Sequence, residues 1–185
     1  MIINLHNFKT LVTMQRDLDA AIAKEKNIDL PVHPNWIELA YRIEIAETVN
    51  EMKGDVKYWS DKPARRPEFL EEYVDALHFI LSYSYQSADR DYRNYQYKEG
   101  EDRIDYVYRQ IAEESKLKAM DEVEIYKVKR ELWEFAFDAL TAKNIYTSFI
   151  YLTFIARCYG ITEDEVLDAF TTKHAINYER SKSGY

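Results

Sequence analysis

Two consecutive helical stretches carry carboxylates where a helix should be apolar, and this restricts what the chain can become. Placed at about 100° per residue, Trp36, Leu39, Ala40, Ile43 and Ala46 form one apolar arc, and Glu47 projects from its middle, with Glu44 one turn earlier. Further on, Phe69, Tyr73, Ala76, Phe79, Ile80 and Tyr83 form a second arc, with Glu72 emerging among them and Asp75 flanking it. An ionised carboxylate buried without a partner costs several kcal/mol or more, so such groups are neutralised, ion-paired or bound to metal. Isolated Glu-x-x-Glu pairs are common on solvated helix faces, whereas two pairs that each place an acid inside an apolar arc call for cations. Neither pair has thiolates or an imidazole-rich setting, and all-oxygen donors suit magnesium or manganese better than zinc or copper.

The rest of the chain frames that pair. Residues 1–185 make one domain, large enough for a core of its own. Only four glycines and four prolines interrupt sustained helical periodicity, so the expected class is an all-α helical bundle. A single cysteine, Cys158, excludes an intrachain disulfide and fits a reducing, cytoplasmic setting. The amino terminus lacks the pattern of a secretory signal, and the apolar run Ile145 to Tyr159 is too short and too interrupted to span a bilayer, so no membrane partner is expected. A net charge of −8 argues against a nucleic-acid polymer, although local basic residues and divalent ions can bind one small polyphosphate.

Along the chain, a first helix runs from Phe8 to Ala23, with Gln15 in the centre of its apolar face and Asp19 at the edge. A buried amide must be hydrogen-bonded; it either bonds to neighbouring backbone or offers a donor and acceptor to a nucleobase edge. The loop from Asn27 to Asn35 leads into the Trp36 helix, which ends near Gly54 or continues through Lys57-Tyr58-Trp59. A basic link, Ser60 to Pro67, carries Lys62, Arg65 and Arg66 and is either solvated or in contact with phosphate. Residues 86–121 hold a tyrosine-rich stretch (Tyr92, Tyr95, Tyr97), read as a long loop or mobile helix, and then a helix from Ile104 to Lys118. Asp121 to Ala142 is helical with a core stripe that includes Trp133 and Phe137, and Ile145 to Tyr159 ends at Gly160 as a left-handed cap. Thr162 and Glu165 form a capping box for a final helix. The terminal segment 173–185 places Lys173, Asn177 and Arg180 on one helical side; it is either a solvated terminus or a segment that closes over a ligand.

Taken together, these blocks resemble the dimeric, all-α dUTP pyrophosphatases, a branch of the all-α nucleoside triphosphate pyrophosphatases that includes the MazG-type enzymes. The resemblance rests on Gln15 with Leu18-Asp19, Glu44-x-x-Glu47, Lys57-Tyr58-Trp59, Glu72-x-x-Asp75-x-x-His78-Phe79 and the ending Lys173-x-x-x-Asn177-x-x-Arg180-x-x-x-Gly184-Tyr185. It implies that Glu44, Glu47, Glu72 and Asp75 hold two or more magnesium ions, which manganese can replace. It also implies that Gln15, Asp19, His78 and Trp59 belong to a nucleoside pocket closed by Asn177 and Tyr185, with Asn50, Lys57, Lys173 and Arg180 on the substrate and its phosphates. The implied reaction converts dUTP, and dUDP, to dUMP and pyrophosphate or phosphate by attack at the β-phosphorus, which keeps uracil out of DNA.

Phosphoanhydride hydrolysis needs an activated water and neutralised phosphate charge, which paired divalent ions supply. Glu47 is the expected base because it looks the more buried of its pair. Within the same fold, a pyrophosphatase for another nucleotide such as dCTP is the alternative; from another class, it is a metal-free helical interaction protein with solvated acids. The aromatic stripe Phe149, Leu152, Phe154 and Tyr159 points to a homodimer interface or to burial within one subunit.

Overall fold

The helical periodicities resolve into seven α-helices and one 3₁₀ turn in this computed structural model, which describes residues 2–87, 98–117 and 132–183; among these residues there is no strand. The helices are α1 (Leu5–Lys26), α2 (Pro34–Glu51), α3 (Arg66–Gln86), α4 (Arg103–Leu117), α5 (Leu132–Thr141), α6 (Ile145–Cys158) and α7 (Glu163–Lys182). Local chemistry sets several of their ends. Asn4 caps α1 by accepting from the Asn7 amide, and Asn27 closes it in the left-handed region at φ 52°. Gly160, at φ 69°, precedes α7, which opens on the Thr162–Glu165 capping box expected from the sequence. Tyr92, Tyr95 and Tyr97, the stretch from Asp121 to residue 131, and Tyr185 lie outside the described residues.

At the centre is α3. Its most extensive partner is α2, and α1, α4, α6 and α7 also pack against it, while α5 lies on α6 and touches α2. Phe69, Tyr73, Ala76, Leu77, Ile80 and Leu81 of α3 are buried in the main core. Buried tyrosines need partners for their hydroxyls, and here Tyr73 meets Thr153 Oγ1 at 3.3 Å and Tyr41 donates to Ser148 at 3.3 Å.

The buried face of α2 differs from the one read in the sequence. Ile37, Tyr41, Ile45 and Thr48 face the core, whereas Trp36 (66% exposed), Leu39 (62%) and Ile43 look outward. Both stripes are apolar at helical spacing, and the inner one wins because it packs along α3 and gives the Tyr41 hydroxyl its partner. Similarly, α5 buries Leu132, Ala136 and Ala139 but exposes Trp133 and Phe137. The supposed interface stripe turns inward: Phe149, Leu152 and Phe154 are buried within the protein, and Tyr159 packs edge-on against Phe69 at 4.9 Å between centroids.

Between α2 and α3 the chain makes a 3₁₀ turn at Lys53–Asp55, and Lys57, Tyr58 and Trp59 lie on the loop beyond it. Arg66 of the basic link fastens α3 to the α6–α7 corner, donating to the Tyr159 carbonyl at 2.8 Å, the Gly160 carbonyl at 3.0 Å and Glu165 at 2.9 Å. Gly54 is required in the connecting turn: its N–H donates to the Lys62 carbonyl at 2.9 Å, and a Cβ there would meet the Ser60 and Lys62 carbonyl oxygens at 2.6 and 2.8 Å. Both are backbone atoms and cannot swing aside. Gly54→Ala should therefore lower stability by about 1–3 kcal/mol, seen as an earlier urea midpoint. An unchanged midpoint would show that this turn relaxes without cost.

Candidate metal centre and adjoining cleft

Packing α2 along α3 brings three acids to one place. A carboxylate oxygen from each of Glu44, Glu72 and Asp75 lies within 4.8 Å of the others, and all three groups are half-buried. Burial first, and then the charges of Asp75, Glu47 and Glu72, push the Glu44 carboxyl up to about 7. Burial and neighbouring acids raise Glu72 as well. For Asp75 burial again leads, with the Lys173 hydrogen bond opposing it. Glu47 stands outside this group, exposed, yet its charge raises each of the three. The expectation that Glu47 is the more buried acid of its pair is thus reversed, because Glu44 lies on the side of α2 nearer the α3 contact.

The donor set fits a hard divalent cation: it is all carboxylate oxygen, held close against mutual repulsion, and a cation already rests on it. That cation is the Lys173 ammonium from α7, 2.6 Å from Asp75 and 3.4 Å from Glu71. One turn past Glu47 on α2, Asn50 accepts from Lys57 Nζ at 2.5 Å. Next to it the buried Glu51 pairs with Lys53 at 3.0 Å and Arg65 at 3.1 Å. Lys57 and Asn50 are therefore brought together at the acid end of α2, while Arg65 and Arg66 are held by structural partners.

One turn from Asp75 along α3, uncharged polar side chains gather around a single carboxylate, Asp19. Gln15 and His78 are each only 4% exposed, and His78 Nδ1 meets Gln15 Oε1 at 2.5 Å. The Gln15 amide nitrogen donates to Asp19 at 2.8 Å. The other Asp19 oxygen accepts from Ser82 at 2.6 Å, Tyr85 at 2.6 Å and Gln86 at 2.9 Å. The His78 ring stacks on Phe170 at 4.1 Å, and burial pushes its pKa down to about 3, so it is neutral at physiological pH. Beside this network lies a largely apolar cleft of about 220 Å³ between α1, the 28–32 loop, α2 and α3, with Asp19, Ile22, Trp36, Ile37, Phe79 and Ser82 in its wall.

Other expected site residues lie apart from this cluster. Trp59 is exposed on its loop, edge-on to Tyr58 at 4.9 Å, and does not line the cleft. Lys173, Asn177 and Arg180 belong to one continuous helix rather than a separate segment. Lys173 reaches the acids, whereas Asn177 and Arg180 line a shallow pocket of about 190 Å³ beside Ile22 and Glu25 of α1. Missed by sequence reasoning were Ser82, Tyr85 and Gln86, which anchor Asp19. Their signal was available, since His78, Ser82 and Tyr85 at spacings of four and three make a polar stripe on an otherwise apolar helix.

Comparison with known proteins identifies the family of the chain. A family model described as dUTPase matches residues 7–185, nearly the whole chain. No curated protein matches it.

The Lys173 contact yields a test independent of turnover. Lys173→Met removes the resident cation, and manganese binding without nucleotide, followed by electron paramagnetic resonance, should tighten roughly threefold to tenfold, the scale of a partly exposed ion pair. Unchanged affinity would show that lysine and metal do not compete.

Proposed function

The chain belongs to the all-α dUTPase family, whose members hydrolyse dUTP and dUDP to dUMP, and from that premise we propose how its own residues divide the work. The observation that carries the reading is the juxtaposition on α3: the three-acid group and the cleft share one helix, with Asp75, Phe79 and Ser82 at successive turns. The phosphates lie at the acid end and the deoxyuridine at the cleft end.

Glu44, Glu72 and Asp75 hold magnesium, two or more ions with Glu47 completing the set; when bound, the metal neutralises phosphate charge and eases ionisation of water. Glu47, exposed at the edge of the trio, takes the proton of the water that attacks the β-phosphorus, with Glu44 as the other candidate. The new P–O bond forms to that water as the bond between the β-phosphorus and the α–β bridging oxygen breaks, and the bridging oxygen leaves with dUMP. Lys173, displaced from Asp75, and Lys57, held by Asn50, are placed for phosphate. Arg180, Asn177, Trp59 and Tyr185 supply the remaining substrate contacts. At the other end, Gln15 and His78 select uracil over cytosine by matched donors and acceptors, a stronger filter than crowding at C5 against thymine.

The outward stripe of α2 supports a homodimer. Trp36, Leu39 and Ile43 of α2 are exposed, as are Trp133, Phe137 and Leu140 of α5, and Arg42 ties α2 to the end of α5 by donating to the Leu140 carbonyl at 3.4 Å and to the Ala142 carbonyl just beyond it at 2.7 Å. An apolar face of this kind on neighbouring helices suits a second copy of the chain. Among the described residues no helix is long and apolar enough to cross a membrane, and the single cysteine suits the cytoplasm as its setting.

Pyrophosphate release should be magnesium-dependent and fastest from dUTP when dUTP, dCTP, dTTP and UTP are compared. Preference for another of these would discard the base assignment. Asp75→Asn and Glu47→Gln should each lower kcat/KM by about a hundredfold or more while leaving the thermal midpoint near wild type. Either variant at near-full activity would refute its assigned role. Leu39→Glu should convert a dimer to a monomer in light scattering, and a monomeric wild-type protein would remove the dimer from the reading.

A further inference from the structure

Asp19 has the position of a substrate ligand, but its carboxylate is already engaged by protein donors on both oxygens. One oxygen accepts from Ser82, Tyr85 and Gln86, and the other accepts from the Gln15 amide nitrogen. A carboxylate can only accept, so the Gln15 NH₂ must face Asp19 and the Gln15 carbonyl oxygen must face away from it. That carbonyl lies 2.5 Å from His78 Nδ1 and also can only accept, so the proton of the neutral imidazole must sit on Nδ1. His78 Nε2 is then a bare lone pair, and it is buried with no hydrogen-bond partner among the described residues. A buried polar atom without a partner is costly and calls for an explanation.

We propose that Asp19 is a positioning residue that writes the tautomer of His78 through Gln15, so that the site offers an acceptor at Nε2 and thereby prefers a base carrying an N–H donor. This rests on the reading of Gln15 and His78 as the uracil-selecting end of the site. Uracil carries such a donor at N3, where cytosine carries a lone pair. Asp19 discriminates between them without touching either. The aromatic stack on Phe170 at 4.1 Å fixes the plane of the ring.

The relay makes a prediction that a merely structural role does not. In Asp19→Asn the three donors from α3 retain the single carbonyl oxygen, and the new NH₂ faces Gln15. The Gln15 amide must then turn over, presenting its own NH₂ to His78 Nδ1, and the imidazole proton must move to Nε2. Long-range nitrogen–proton correlation spectra of ligand-free, histidine-labelled protein report which ring nitrogen carries the proton. Wild type should show Nδ1–H and Asp19→Asn should show Nε2–H. With the acceptor changed to a donor, KM for dUTP should rise about tenfold or more, kcat should stay within about threefold, and the preference for dUTP over dCTP should fall. Should Asp19→Asn fail to fold, Gln15→Met removes the acceptor at Nδ1 and should likewise abolish the Nδ1–H signature.

A wild-type tautomer in these variants would overturn the relay. A switched tautomer with an unchanged dUTP to dCTP ratio would overturn its role in specificity. The tautomer is read without nucleotide, so these failures are distinct from that of the functional reading, which would be wild-type protein inert towards dUTP.

Discussion

The site depends on holding like charges together. Glu44, Glu72 and Asp75 crowd together, and partial burial first, then the charges of neighbouring acids, raise the pKa of each. Left to themselves, α2 and α3 would separate at this point. They are held by apolar packing above and below it, with Ile37, Tyr41, Ile45 and Met52 on one side and Phe69, Tyr73, Ala76 and Ile80 on the other. A fully buried large apolar side chain contributes about 1.5–3 kcal/mol, so a few such residues outweigh a cluster of half-buried acids. The end of the pair is fixed as well: the Arg65 amide donates to the Glu51 carbonyl at 2.9 Å, and Glu51 is itself pinned by Lys53 and Arg65. Core stability thus maintains a local electrostatic strain that a cation relieves.

That cation need not come from solution. Lys173 rests on Asp75 from a helix that packs on both α1 and α3, so α7 is tied to the acids by charge and to the core by Val166 and Phe170. Arg66 performs a similar task at the other end of α7, where it joins the start of α3 to Glu165 and to the carbonyls of the preceding turn. Of the basic residues near the acids, then, Arg65 and Arg66 are fixed by structural partners, and Lys173 rests on the acids themselves. The basic link itself, with Arg65 and Arg66 side by side, gave no hint that both are held by structural partners.

How much of this was legible depended on whether one stripe or two competed for the core. On α1 only one apolar stripe exists, and Gln15 within it is buried and hydrogen-bonded as a lone amide there must be. On α2 two apolar stripes exist, and the sequence contains nothing that chooses between them; the choice was made by the hydroxyl of Tyr41 finding Ser148 on a helix more than a hundred residues away. The acids were found for a reason that was half right: Glu44, Glu72 and Asp75 do converge, but Glu47 lies at their rim rather than inside an apolar arc. Helix ends set by local chemistry, such as the Thr162–Glu165 box and Gly160, followed directly from residue type. The anchors of Asp19 did not, because a serine, a tyrosine and a glutamine on α3 acquire meaning only once α1 is laid against it.

Seen along its axis, α3 acts as a ruler. At about 1.5 Å per residue, Asp75 and Ser82 stand roughly 10 Å apart on the same side, a separation fixed by helical geometry rather than by loops. The helix is charged at one end of this interval and neutral at the other, where burial keeps His78 uncharged and Asp19 is satisfied by neutral donors. On the proposed reading the two ends do different physical work on one ligand: the first acts on its phosphates through the cations that the acids would hold, a charge interaction that is long-ranged and insensitive to the identity of the base, and the second sorts the base through hydrogen-bond polarity, which is short-ranged and sensitive to a single proton. Carrying both on the most buried helix of the core keeps their registry rigid, so on that reading a base misplaced at one end would also misplace its phosphates among the acids.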